Sequence, residues 1–373
     1  MVGMPTQLRV MVLFGGRSAE HEVSLRSARF IVESLDPSRF TPVLVGIDKH
    51  GRWHLQSAEA LLTGRTDPRH ALSDTTEPEV NVSPWPAPNQ AVVQVRAQSP
   101  IEVDVVFPVL HGPMGEDGTV QGLLELAGLP YVGAGVLASA IGMDKDVMKR
   151  LLLQAGLPVL PYRTVKKTHY FAHRERVLAD LGQLVFPVFV KPANLGSSVG
   201  INRVLGAADL PGAMDYAFQF DDKVVVEQGL DHPKEIECAV LEGTPAVVSV
   251  PGEIVVSHPD GFYSYAAKYL DDAGVAMRIP AQLTQSESDR AQQLALRTFE
   301  VLECEGMARV DLFLDAQHNL YVNEINTIPG FTSISMYPKL MEASGVPARQ
   351  LVTRLIDLAL RRAAERKQRR SSV

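Results

Sequence analysis

The chain has 373 residues, 46% of them apolar and 21% charged, and a formal net charge of −7. This composition excludes global disorder, the length predicts two or three domains, and the acidic balance offers no field for nucleic acid or an anionic membrane. No apolar run reaches the roughly 18 residues of a membrane span, and two distant cysteines, Cys238 and Cys304, support neither a disulfide scaffold nor a zinc site, so a reducing cytoplasm is expected.

Arg9–Phe14 is an apolar run that reads as a first β-strand rather than a signal peptide, because Arg9 interrupts it and Gly15-Gly16 follows directly. A helical pattern covers Ser24–Leu35, and further strand-like runs follow at Pro42–Ile47 and Val103–Leu110. Strands separated by helices predict a parallel sheet covered by helices. Residues 50–100 lose periodicity and collect Pro78, Pro84, Pro86 and Pro88, which predicts a long surface insertion with at most one helix. One helix is expected over Leu137–Gln154, stopped by Gly156 and Pro158. Short strands then dominate at Leu184–Lys191, Val199–Val204, Val224–Gln228 and Glu235–Leu241. A helix over Gln285–Glu303 leads to strands Ala308–Leu314 and Leu320–Asn326, and a basic-ended helix over Ala348–Gln368 closes the chain.

Three groups of residues carry chemistry. In the last two strands, side chains alternate, so Arg309 shares a face with Asp311, and Glu324 with Asn326. Pairing Asp315 with Leu320 sets Asp311 opposite Glu324 and Arg309 opposite Asn326. Val310, Leu312 and Leu314 then form an apolar underside, with Phe313 and Val322 enclosing the charged face. Oxygen ligands with open positions suit Mg²⁺ shared with phosphates. The second group is Lys191 at a strand end, followed by Gly196, Ser197, Ser198 and Gly200, whose N–H groups can cradle phosphate. It is not a Walker loop, and no G-x-G-x-x-G fingerprint supports a nicotinamide cofactor. Third, Gly15–Ser24 and His111–Gly118 follow strands at one sheet edge, where Glu22 and His111 could meet a small amine-bearing substrate. The aromatic stretch Ser257–Asp272 reads as a lid loop.

These segments, GGRSAEHEVS, HGPMGEDGTVQG, KPANLGSSVG, VEQG, EIECAVL, YSYAAKY, GMARVDLFL and NEINTIPGFTSISMYP, resemble in order and over nearly the whole chain the D-alanine–D-alanine ligases of the ATP-grasp superfamily. The resemblance implies an α/β, three-domain ATP-grasp architecture with an N-terminal parallel-sheet domain over 1–143, a central domain over 144–229 and a C-terminal domain over 230–373 that carries the lid 257–272. It implies ligation of two D-alanines through a D-alanyl phosphate, with ATP as co-substrate, two Mg²⁺ ions for which Mn²⁺ can substitute, and a homodimer. Carried over by motif, Glu22, His111, Ser335 and Met336 meet the amino acids. Lys145, Lys191, Ser198, Glu227, Glu235 and Lys268 hold ATP, and Asp311, Glu324 and Asn326 hold metal. Arg309 and the Gly330 N–H face the oxyanion, while Ser197 and Tyr269 link to Glu22 and close the lid. Tyr269 favours the dipeptide over a D-alanine–D-lactate product.

Overall fold

The computed structural model describes residues 7–58, 61, 79–82, 92–95, 100–256 and 275–368. The first apolar run becomes strand β1 (Leu8–Gly15), followed by a helix, His21–Ser34, then β2 (Phe40–Ile47) and β3 (Trp53–Gln56). Three short strands, β4 (Val80–Val82), β5 (Val92–Val95) and β6 (Ile101–Glu102), form a small antiparallel sheet, and β7 (Val105–Val109) returns to the first. The main sheet has the order β3-β2-β1-β7; β1 runs parallel to both β2 and β7, and β3 adds an antiparallel edge. Its centre reads as an unbroken apolar run because both faces are covered. Val10, Val12 and Phe14 join one core cluster, and Met11 and Leu13 join another. The stretch expected as an irregular insertion thus contributes strands, each too short for its period to show.

The single helix expected over Leu137–Gln154 is two, Val136–Met143 and Lys145–Gln154. Asp144 is extended between them, and its Oδ1 accepts from the N–H groups of Asp146 and Val147, both at 3.1 Å. A carboxylate in that position ends one helix and caps the next. The central sheet follows, with β8 (Tyr162–Lys166), β9 (Val188–Pro192), β10 (Asn202–Val204) and β11 (Lys223–Gln228) in the order β10-β9-β11-β8. Its apolar face buries Val188, Val190, Val224 and Val226 against Tyr170, Leu181 and Met214.

The last sheet holds β12 (Lys234–Leu241), β13 (Val247–Val248), β14 (Gly252–Val256), β15 (Val275–Arg278), β16 (Met307–Leu314) and β17 (Leu320–Asn326). It runs β15-β14-β12-β16-β17, with β13 on β12. The helix Gln285–Val301 starts at a reciprocal cap in which Thr284 and Glu287 satisfy each other's backbone N–H. It packs Ala291, Ala295 and Phe299 under Val310, Leu312 and Leu314. The C-terminal helix Ala348–Lys367 then ties this unit to the first: Arg362 donates to the carbonyls of Tyr131 at 2.6 Å and Gly133 at 2.7 Å. The lid expected at 257–272 lies outside the described residues, as do Lys268 and Tyr269.

Candidate active site at the domain junction

The hairpin β16–β17 sets Asp311 opposite Glu324 and Arg309 opposite Asn326, as alternation requires. The half nearer the turn differs by one residue. Leu314, rather than Asp315, pairs with Leu320, and a bulge beside Asp311 absorbs the extra residue, Asn323. One consequence is that Val322 pairs with Leu312 and joins the apolar underside instead of enclosing the charged face. Strand β12 extends that charged face, since Glu237 pairs with Asp311 and Glu235 with Phe313.

Arg309 is largely enclosed among carboxylates, with 17% of its side chain exposed. Its Nε and Nη2 donate to the two oxygens of Asp311, each at 2.7 Å, and Nε also lies 3.0 Å from Glu237 Oε2. Burial opposes its charge, yet Asp311 and Glu237 together hold it firmly protonated. Glu324 Oε2 lies 3.5 Å from Lys145 Nζ, and Asn326 Oδ1 accepts from the Ile328 N–H at 3.1 Å.

Lys145 begins its helix and donates through Nζ to the Leu195 carbonyl at 2.7 Å, which fixes the start of the glycine-serine loop. Ser197 and Ser198 both adopt positive φ, 54° and 57°, a local strain in this loop. Behind it lies a buried cluster in which Glu227 and Lys191 were expected from the sequence and Lys149 was not. Glu227 on β11 is 1% exposed and receives Lys191 Nζ on Oε2 at 2.6 Å and Lys149 Nζ on Oε1. Lys149 also reaches the carbonyl of the bulge residue Asn323 at 3.5 Å. Burial alone would raise the Glu227 carboxyl, but the two ammonium groups more than offset it and hold it low. Lys149, wholly buried, is left below its ordinary value. No local signal marked Lys149, because one lysine in an amphipathic helix reads as solvent-facing.

The structure separates the two glutamates of the first loop. Glu22 is not brought to the junction; its Oε1 takes Lys49 Nζ at 2.5 Å on the flank, and both side chains are partly exposed. Glu20, immediately before the helix, turns inward instead. Its Oε2 lies so near Gly112 and Gly196 that a β-carbon added there would stand 3.4 and 3.8 Å from it. It also faces Glu116, whose carboxyl accepts from the Gly112 N–H at 2.5 Å. Burial, reinforced by Glu20, pushes Glu116 up to about 8. His111 is buried, with Nδ1 3.0 Å from the Ile328 carbonyl and Nε2 3.5 Å from Ser27 Oγ. Burial holds it below its ordinary value. It therefore ties the first domain's loop to the loop that follows β17.

In that loop Ser335 Oγ accepts from the Thr332 N–H at 3.0 Å and lies beside Gly330. Ser335 occupies the N-cap position of the helix Met336–Ala343 without a side-chain capping bond, while the Met336 side chain is buried in the core. Glu235 is half-buried at the start of β12. The junction thus collects, from three sheets, an arginine, three lysines, several carboxylates and a glycine-serine loop. Among the described residues no helix is long and apolar enough to cross a membrane.

Two family models match in tandem, D-ala D-ala ligase N-terminus over residues 9–134 and D-ala D-ala ligase C-terminus over 151–357. The chain is 50% identical over 367 residues to D-alanine–D-alanine ligase A of Bradyrhizobium diazoefficiens, covering 97% of this chain and 98% of the relative. It is 46% identical over 358 residues to D-alanine–D-alanine ligase A of Escherichia coli K12, at 96% and 97% coverage. Among solved structures, the D-alanine–D-alanine ligase of Coxiella burnetii superposes with a TM-score of 0.84 at 37% identity, covering 98% of this chain and 97% of that one. The VanG D-Ala:D-Ser ligase of Enterococcus faecalis gives 0.83 at 35% identity, covering 95% and 100%. With both halves matched and these relatives aligned almost end to end, the chain belongs to the D-alanine–D-alanine ligase family.

Proposed function

We propose that the chain performs its family's reaction, joining two molecules of D-alanine with ATP to give D-alanyl-D-alanine, ADP and phosphate, a step in making peptidoglycan precursors. The observation that carries this reading is the convergence of Arg309, Asp311, Glu324 and Asn326 on one hairpin face beside the lysine-lined loop. A carboxylate is a poor electrophile, so one D-alanine first attacks the γ-phosphate and becomes an acyl phosphate. The amine of the second, once deprotonated, attacks the acyl carbon, and phosphate leaves.

Lys145 and Lys191, with the N–H groups of the Ser197–Ser198 loop, neutralise the phosphates, and Glu235 meets the ribose. Both oxygens of Glu227 carry lysines, so its part in the ATP site is to hold Lys191 in place. Arg309 and the Gly330 N–H stabilise the oxyanion that forms on the acyl carbon. The Ser335 hydroxyl and the Met336 backbone N–H, at a helix N-terminus, take the second carboxylate. Among the described residues no three His, Cys, Asp or Glu side chains gather as a complete cation site. The donor set nevertheless fits Mg²⁺ or Mn²⁺: Asp311, Glu324 and the Asn326 amide supply oxygens from one face and phosphates complete the shell. Bound there, the two ions supply charge neutralisation for phosphoryl transfer. The enzyme works in the cytoplasm and as a homodimer; the dimer reading is supported by Leu126, Val136 and Leu137, which are exposed on neighbouring helices of the first domain.

Glu20, rather than Glu22, takes the ammonium of the first D-alanine. Glu20→Gln is expected to raise the KM of the first D-alanine roughly 10- to 100-fold, the value of one charged hydrogen bond. Glu22→Gln, which breaks only a half-exposed pair with Lys49, is expected to change it about twofold or less. Steady-state kinetics in D-alanine checks this, and the reverse ranking would return the role to Glu22.

A further inference from the structure

Arg309 is surrounded by more carboxylate than its part in the reaction requires. Its Nε carries a single proton, which goes to Asp311 Oδ1 at 2.7 Å, while Glu237 Oε2 lies 3.0 Å from the same nitrogen. Glu237 is 6% exposed and stands on β12 directly opposite Asp311 in the ladder. It does not belong to the hairpin that carries the candidate metal ligands. Asp311 spends both oxygens on Arg309 in a two-pronged pair. Recruiting Asp311 to a divalent cation means turning at least one of those oxygens away. A guanidinium as largely enclosed as this one is destabilised by the loss of its partner unless a second carboxylate is already in place. Glu237 Oε2 is at the distance needed to accept the Nε proton that Asp311 gives up.

We propose that Glu237 is a positioning residue: it keeps Arg309 neutralised and aimed at the reacting centre while Asp311 turns to the cation. The metal then does not have to compete with Arg309 for Asp311 alone. Glu237 acts through Arg309 and not as a ligand, and the proposal rests on reading Asp311 as a metal ligand.

The test is Mn²⁺ affinity in the presence of ADP, followed by the electron paramagnetic resonance of unbound Mn²⁺. It uses the whole protein and compares wild type, Glu237→Gln, Arg309→Met and the double variant. Glu237→Gln is expected to weaken Mn²⁺ binding tenfold or more. In the Arg309→Met background the same substitution is expected to change it less than twofold, because the arginine that Glu237 serves is gone. An equal loss in both backgrounds would mean that Glu237 acts on the cation directly, and no loss in the single variant would mean that it does not act at all; either overturns the proposal. Asp311→Asn separates the underlying reading: if it leaves Mn²⁺ affinity unchanged, the metal assignment itself falls. If Glu237→Gln does not fold, Glu237→Asp, which keeps the charge and shortens the reach, serves in its place with an intermediate loss expected.

Discussion

Glu324→Gln is expected to lower turnover roughly a thousandfold or more, since the charge stabilisation that a metal site supplies to phosphoryl transfer amounts to several kcal/mol. The substitution keeps the shape of the side chain and removes its charge. Glu324 lies on the face opposite Val310, Leu312 and Leu314, so the apolar underside of the hairpin is untouched. Lys145, whose Nζ lies 3.5 Å from the Glu324 carboxylate, keeps its bond to the Leu195 carbonyl. Melting temperature and metal-free ADP affinity should therefore stay near wild type. Turnover with D-alanine and MgATP, measured beside both controls, checks the point. Retention of a tenth or more of the activity would remove Glu324 from the metal site.

The second large effect concerns stability. Glu227→Gln leaves two buried ammonium groups, Lys149 and Lys191, with no carboxylate between them. Removing one partner of a buried ionic group costs about 3–5 kcal/mol. In a chain of 373 residues that corresponds to a fall in Tm of about 4–6 °C. Lys149→Met should cost less, because Glu227 and Lys191 remain as a balanced pair. The pH dependence has a definite sign. The two lysines hold the Glu227 carboxyl below its ordinary value despite burial, so its contribution is present above the unfolded carboxyl's pKa and is lost as pH falls through the folded one. The Tm gap between wild type and Glu227→Gln should therefore be wide at neutral pH and shrink in acid. Thermal melts across pH 3–7 measure it, and a gap that widened in acid would contradict the assignment.

Much of the site could be read from the string because its residues share strands. Alternation alone gathered Arg309, Asp311, Glu324 and Asn326, and the ladder agrees at those pairs. A strict two-residue period has no means of registering a bulge, so it misplaced Val322 by one face. Glu20 and Glu22 are a different matter. They stand two residues apart at a helix entrance, where the turn of the backbone decides which one faces inward, and the partner that settles Glu22 is Lys49, distant in sequence. Lys149 and Glu237 were invisible for the same reason: each acquires its meaning from a residue on another element, Glu227 or Arg309. The parallel first sheet was legible from the alternation of strand and helix patterns, whereas the helix break at Asp144 was hidden inside an uninterrupted helical pattern.

The most direct test of the central claim is phosphate release from MgATP with D-alanine, L-alanine, D-serine or D-lactate, with each product identified by mass. Release that depends on D-alanine, with D-alanyl-D-alanine as the product, is the result predicted here. Nucleotide binding without turnover on D-alanine, or a product joined to D-serine or D-lactate in preference, would contradict it.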